Sequence, residues 1–193
     1  MAITGITSNT PKKLLLDAGA FYKNYDLTKD VDENTGTRIG ATHGGGSFSA
    51  VPTVRKIEVD GAKENVKGLQ AIDGWVVTLT ANVKEVDADN LALALGAATT
   101  ASSTEAGVTG YTKITGNADF ADENYLTNIT WVGRLSGSNK PVIIVVKNAL
   151  SLNGLSMTMA DKAEANIPIT ITGHYSLDDL DTPPFDIQYP TVS

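Results

Sequence analysis

The chain has 193 residues, 41 % hydrophobic and 19 % charged, and its 15 basic and 22 acidic residues leave a formal charge of −7. This balance suits one folded domain with a proper core and excludes a disordered tail. The longest strongly apolar run, "VIIVV" at residues 142–146, falls far short of the about 20 residues a membrane helix needs.

Taken from the N-terminus, "MAITGITSNT" has neither a basic n-region nor an apolar h-region, so no secretory signal is expected. "KKLLLDAGAFYKNYD" (12–26) has no decisive period and is read as a strand running into a turn at Gly19. About residues 28–52 form a polar, glycine-rich stretch, read as a long loop; loops of this length inside a compact domain tend to be functional. "VRKIEVD" (54–60) alternates loosely as a strand, followed by a turn signal at Asp60-Gly61.

The clearest alternation is "GWVVTLTANVKEV", which sets Trp75, Val77, Leu79, Ala81 and Val83 on one face and Val76, Thr78, Thr80, Asn82 and Lys84 on the other. "VDADNLALALGA" reads as the one helix, about 87–96, with Asp87 or Asp89 as cap and Gly96 as stop. Residues 96–123, rich in Ala, Thr, Ser and Gly, are expected to hold a short hairpin. In "NYLTNITWVGRL" the period places Tyr125, Ile129, Trp131 and Leu135 inward and Asn128, Thr130 and Arg134 outward. "PVIIVVKN" is apolar on both sides and fits a central strand or one covered by another subunit. "EANIPITITGHY" alternates Ile167, Ile169 and Ile171 against Thr170, Thr172 and His174. The expectation is a mostly β, two-sheet sandwich in a single domain over residues 1–193, with one flanking helix.

The stretch "GATHGGGSFSA" (40–50) raises the question of chemistry, because HGGG runs build oxyanion holes and glycine runs cradle phosphates. The chain contains no G-x-S-x-G nucleophile elbow and no G-K-[ST] phosphate loop, and "SFSAVP" is no helix start. Its two histidines, His43 and His174, read as solvent-facing or interface residues. The acidic clusters "DENTG" (32–36) and "DLDT" (179–182) miss the Ca²⁺-loop spacing. No catalytic, cofactor or metal residue is assigned, and no enzyme activity is expected. No Lys/Arg cluster interleaves with aromatics to grip nucleic acid. A carbohydrate-binding sandwich would need aromatics on an open face, whereas only 6 % of residues are aromatic, most at core positions.

The segments "IGATHGGGSF", "IEVDGAKENVKGLQAIDGW", "VDADNLALALGA", "NYLTNITWVGRLSGSNKPVIIVVKNAL" and "DKAEANIPITITGHYSLDD" run in this order between residues 39 and 179. In that order they resemble the major tail protein, or tail tube protein, of long-tailed non-contractile phages. The resemblance implies a β-sandwich subunit that forms hexameric rings stacked as a hollow tube. It also implies the tape-measure protein and tail-end proteins as partners, and DNA passing through without specific binding. The place is then the virion tail, with the host cytoplasm during assembly, and no membrane or cofactor is involved. Gly40, His43, Gly44, Gly45, Gly46 and Phe48 fall in the family's loop region, which makes them an inter-subunit arm with the glycines as hinges. A DNA conduit calls for neutral Thr/Asn rows with acidic residues, and Glu58 and Asp60 are the lumen candidates, with Lys56 on their face. The tube of a contractile tail, a bacteriocin or a secretion apparatus is the neighbouring alternative.

Overall fold

β-Strands dominate because period-two segments fill most of the chain, and only one segment carries helical spacing with both caps. The computed structural model describes residues 4–33 and 35–191. Its strands are β1 (Ala20–Lys23), β2 (Thr37–Arg38), β3 (Thr42–Lys56), β4 (Gln70–Val83), β5 (Ala98–Ser102) and β6 (Thr112–Gly116). They continue with β7 (Leu126–Gly133), β8 (Val142–Ser151), β9 (Thr158–Ala160), β10 (Ala163–Gly173) and β11 (Phe185–Gln188), and the helix is α1 (Ala88–Leu95).

The strands form two antiparallel layers joined through β8. Residues 143–146 of β8 lie between β7 and β11, and β7 continues to β1 and β2. Further along, Leu150 and Ser151 pair with β10, which leads to β4 and then β3. Asn148 sits between these two halves at φ 45°, a conformation Asn tolerates better than most residues. Its side-chain amide donates to the His174 carbonyl at 3.0 Å, and the His174 ring Nδ1 meets the Asn148 carbonyl at 3.0 Å.

The inner faces pack as a sandwich. Val77, Leu79, Ala81 and Val83 from β4 and Ile167, Ile169 and Ile171 from β10 form one cluster with Phe21, Ile129, Val146 and Ala149 from the other layer. Each fully buried aliphatic side chain contributes about 1.5–3 kcal/mol, so these alternating rows hold the layers together. The expected faces of β4 and β10 are the observed ones, and β8 is central, with Val145 and Val146 both buried.

The helix is capped as its sequence prescribes. Asp87 Oδ1 accepts from the Asn90 amide at 2.7 Å, and Gly96 ends it at φ 77°. Asn90, 2 % exposed, donates from Nδ2 to the carbonyls of Ile39 (2.8 Å) and Glu85 (3.1 Å), fixing the helix to the chain just before β3 and just after β4. The hairpin expected within residues 96–123 is β5–β6, a separate two-stranded sheet.

Four expectations are corrected. The first strand begins after Gly19, not before it: Leu15 forms only an isolated bridge to Leu135, and Gly19 at φ 72° has no room for a Cβ beside Trp131. The 28–52 loop is strand from Thr42 onward, so the irregular part is far shorter. The strand read over 54–60 ends at Lys56; the turn at Asp60-Gly61 exists, with the Ala62 amide donating to the Val59 carbonyl at 3.0 Å. Asn128 and Thr130, expected outward and wet, are 8 % and 0 % exposed because the chain after β1 folds back over them. The Tyr25 amide donates to Asn128 Oδ1 at 2.9 Å, Asn128 Nδ2 donates to the Tyr25 carbonyl at 3.0 Å, and Thr130 donates to Asn128 Oδ1 at 2.9 Å. Buried polar groups are tolerated when partnered in this way.

Candidate functional site

The glycine run turns out to be strand chemistry. Gly44 and Gly45 have φ of 72° and 68°, and the β3–β4 register shifts between Thr42 and Gly46, so the run forms a β-bulge. At Gly46 an added Cβ would strike the Thr80 carbonyl oxygen and lie 2.6 Å from Phe21 Cζ. The residue is glycine because two backbones and a ring close on it. Gly40, at φ 117°, precedes the strand beside Glu85, whose Oε1 accepts from the Ala41 amide at 2.7 Å. His43 is exposed at the start of β3, and Phe48 turns inward, its ring 5.9 Å from that of Phe185. His43, Gly44, Gly45, Gly46 and Phe48 therefore lie within β3, with Gly40 just before it, and not in a long loop. The alternation in "GSFSAVPTV" was the signal for this strand, masked by the three glycines ahead of it.

The bulge opens an apolar cleft of about 330 Å³ between the layers, walled chiefly by Phe21, Phe48, Trp131, Ile144 and the glycine backbone. Trp131 Nε1 donates to the Ala18 carbonyl at 2.8 Å, which leaves the indole face as wall. Among the described residues, Asp17 is the only ionisable one lining the cleft.

At its other end β3 leaves the body. The inner row runs through the pairs Phe48–Leu79, Ala50–Val77 and Pro52–Trp75, and the Trp75 ring still packs on Phe185 at 5.4 Å. At the next pair of that row the cover thins: Val54 and Ile72 are 49 % and 59 % exposed. A second register shift, with Asp73 as the extra residue, keeps that pair in line with the inner row. On the opposite face Val51 pairs with Val76, and both are also exposed. The result is a two-stranded ribbon wetted on both faces and tipped by the loop 57–69. Ribbons of this kind are marginal in water without a third strand or a packing partner.

Glu58 and Asp60 lie in that tip loop, past the end of β3, with the ion pair Lys56–Glu64 close by. They are not strand residues facing a channel from within the sheet.

The outer face of β3, β4 and β10 carries small hydroxyls, Ser47, Ser49 and Thr53, then Thr78 and Thr80, then Thr170 and Thr172, interrupted by the exposed Val51–Val76 pair. Thr80 and Thr170 meet hydroxyl to hydroxyl at 3.1 Å. Charge enters at the margins, with Lys84–Glu164 at one end and Arg55–Asp73 at the other. Among the described residues β3 pairs with β4 alone, which leaves its second edge without a strand partner.

Shifted carboxylates lie away from the cleft. Asp26 is held below its ordinary value by the Thr28 hydroxyl and amide, and Asp179 by the same pair of groups of Thr182. Asp26 is half-buried and Asp179 exposed, each at the start of a turn. Among the described residues no three His, Cys, Asp or Glu side chains come together as a metal site. A scan of the chain against protein-family models finds no match, and neither does a search of curated proteins.

Proposed function

We propose that the chain is the repeating subunit of a hollow tube of the tail-tube kind that its sequence resembles, assembling as rings of six that stack. The observation that carries this reading is the β3–β4 ribbon. A pair of strands that leaves its own core with Val51, Val54, Ile72 and Val76 exposed is stable and soluble in use only when another surface covers it. The open edge of β3 points the same way, since closing a sheet across subunits removes such edges.

The hydroxyl face suits the lining of a conduit. DNA carries one phosphate charge per ~1.7 Å of duplex, so a lysine- or arginine-lined channel would hold it along its whole length. A face rich in Ser and Thr, with the Val51–Val76 pair at its ribbon end, offers no such grip on a chain of net charge −7. Glu58 and Asp60 are its acidic neighbours at the ribbon tip. The implied partners are further copies of the chain, a tape-measure protein, tail-end proteins and passing DNA, in a virion tail assembled in the host cytoplasm.

Sedimentation velocity over a rising concentration series tests the reading. Assembly predicts a threshold above which fast-sedimenting particles take up all added protein. A monomer that persists at the highest concentration contradicts it.

A further inference from the structure

We propose that Asn153–Gly154, in the link from β8 to β9, is a self-modification site, where the chain closes a succinimide on its own backbone and reopens it as aspartate or isoaspartate. Asparagine is among the chemically labile residues. How labile each one is depends on the residue that follows it and on the fold around it. Asn153 alone among the asparagines of this chain is followed by glycine. Every other one precedes a residue whose side chain crowds the backbone nitrogen that must attack, whereas glycine leaves that nitrogen bare and its backbone adaptable.

The structure leaves the reacting atoms accessible. Asn153 is exposed, and among the described residues neither its side-chain amide nor the Gly154 N–H has a hydrogen-bond partner. Gly154 stands at φ 69°, with no atom within 4 Å of where a Cβ would lie, so a five-membered ring has room to form. By contrast, Asn24, Asn90, Asn124, Asn128 and Asn148 are held by side-chain hydrogen bonds to the backbone. The link itself is anchored on both sides. Ser151 Oγ donates to the Ala94 carbonyl at 2.8 Å, and Leu155 packs against the core.

In the first step the Gly154 nitrogen attacks Asn153 Cγ. A C–N bond forms, the Cγ–Nδ2 bond breaks, and the proton lost from the Gly154 nitrogen leaves, by way of water, with the departing ammonia. Water then opens the ring. Cleavage at Cγ restores the main chain with aspartate, while cleavage at the α-carbonyl carries the main chain through the former side chain as isoaspartate, one carbon longer. Replacing ammonia by water adds one mass unit and takes the formal charge of −7 one unit lower. The extra carbon of isoaspartate falls between the two anchors. This chemistry needs only the subunit's own link and does not rest on the tube reading.

The test holds the purified full chain at neutral and at mildly alkaline pH and weighs its proteolytic peptides over time. The peptide carrying residues 153 and 154 should gain one mass unit at least about tenfold faster than any other asparagine converts, tenfold being about 1.4 kcal/mol of barrier. The rate should rise with pH, because the attacking nitrogen must lose its proton, and backbone fragmentation should find isoaspartate beside aspartate. Gly154→Ala should slow the gain, and so should Asn153→Gln, which keeps the glycine and its left-handed backbone but would need a larger ring. Asn153 left intact in the folded chain, over a time in which the urea-unfolded chain converts, overturns the proposal. Faster conversion at another asparagine overturns it too, as does aspartate as the sole product, which means direct hydrolysis of the amide.

Discussion

Replacing Val54 and Ile72 together by threonine separates folding from assembly. Threonine keeps the β-branched shape that suits a strand while putting a hydroxyl in place of a methyl of Val54 and of the ethyl branch of Ile72. Full burial of a valine or isoleucine side chain contributes about 1.5–3 kcal/mol. These two are 49 % and 59 % exposed in the isolated chain, so roughly half of that, about 1.5–3 kcal/mol for the pair, would be gained on contact with a neighbour. At about 1.4 kcal/mol per decade, the threshold concentration for assembly should rise by roughly 10- to 100-fold. Light scattering across a dilution series reads the threshold, and urea unfolding of the dilute subunit should move little. An unchanged threshold would refute the idea that the exposed row is an assembly surface. A large loss of subunit stability would show that the row is held within the subunit instead.

Three further outcomes are expected. Gly46→Ala meets the Thr80 carbonyl and Phe21 and should lower stability by about 1–3 kcal/mol or more, whereas Gly44→Ala, with open space around it, should cost only the about 1–2 kcal/mol of its left-handed backbone; urea denaturation ranks them, and the reverse order contradicts the bulge geometry. Ile169→Asp puts a charge at a position 1 % exposed and should prevent folding, while Thr170→Asp on the hydroxyl face should leave a cooperative thermal transition; equal damage contradicts the face assignment. Asp26 has a depressed carboxyl, so its contribution is present above the ordinary aspartate value near 4 and is lost as pH falls through its folded value. Thr28→Val removes the hydroxyl bond and keeps the amide one, so the Asp26 midpoint in an NMR titration should rise part of the way to normal, and an unmoved midpoint contradicts the assignment of cause.

Much of the fold was legible because several segments are long enough for their period to be unambiguous. β4 and β10 each carry a clean alternating row, and Asp87 and Gly96 bracket the single helix with the residue types its ends require. What escaped had a physical reason. The start of β3 was hidden because three glycines carry no side-chain period, and glycine in a strand marks a bulge as readily as a loop. Asn128 and Thr130 are polar yet buried because their cover comes from Tyr25, over a hundred residues earlier, which no local pattern encodes. The ribbon shows the same limit from the other side. Alternation makes Val54 and Ile72 inward residues, but whether an inward row is covered depends on how far the opposite layer extends, and here cover ends at Phe185 beside Trp75.

Negative-stain electron microscopy of the purified protein, concentrated above its assembly threshold, tests the tube most directly. Hollow tubes or rings of uniform diameter, with stain along the axis, are the predicted images. Fields of single subunits at every concentration, or solid fibres without a central channel, would contradict it.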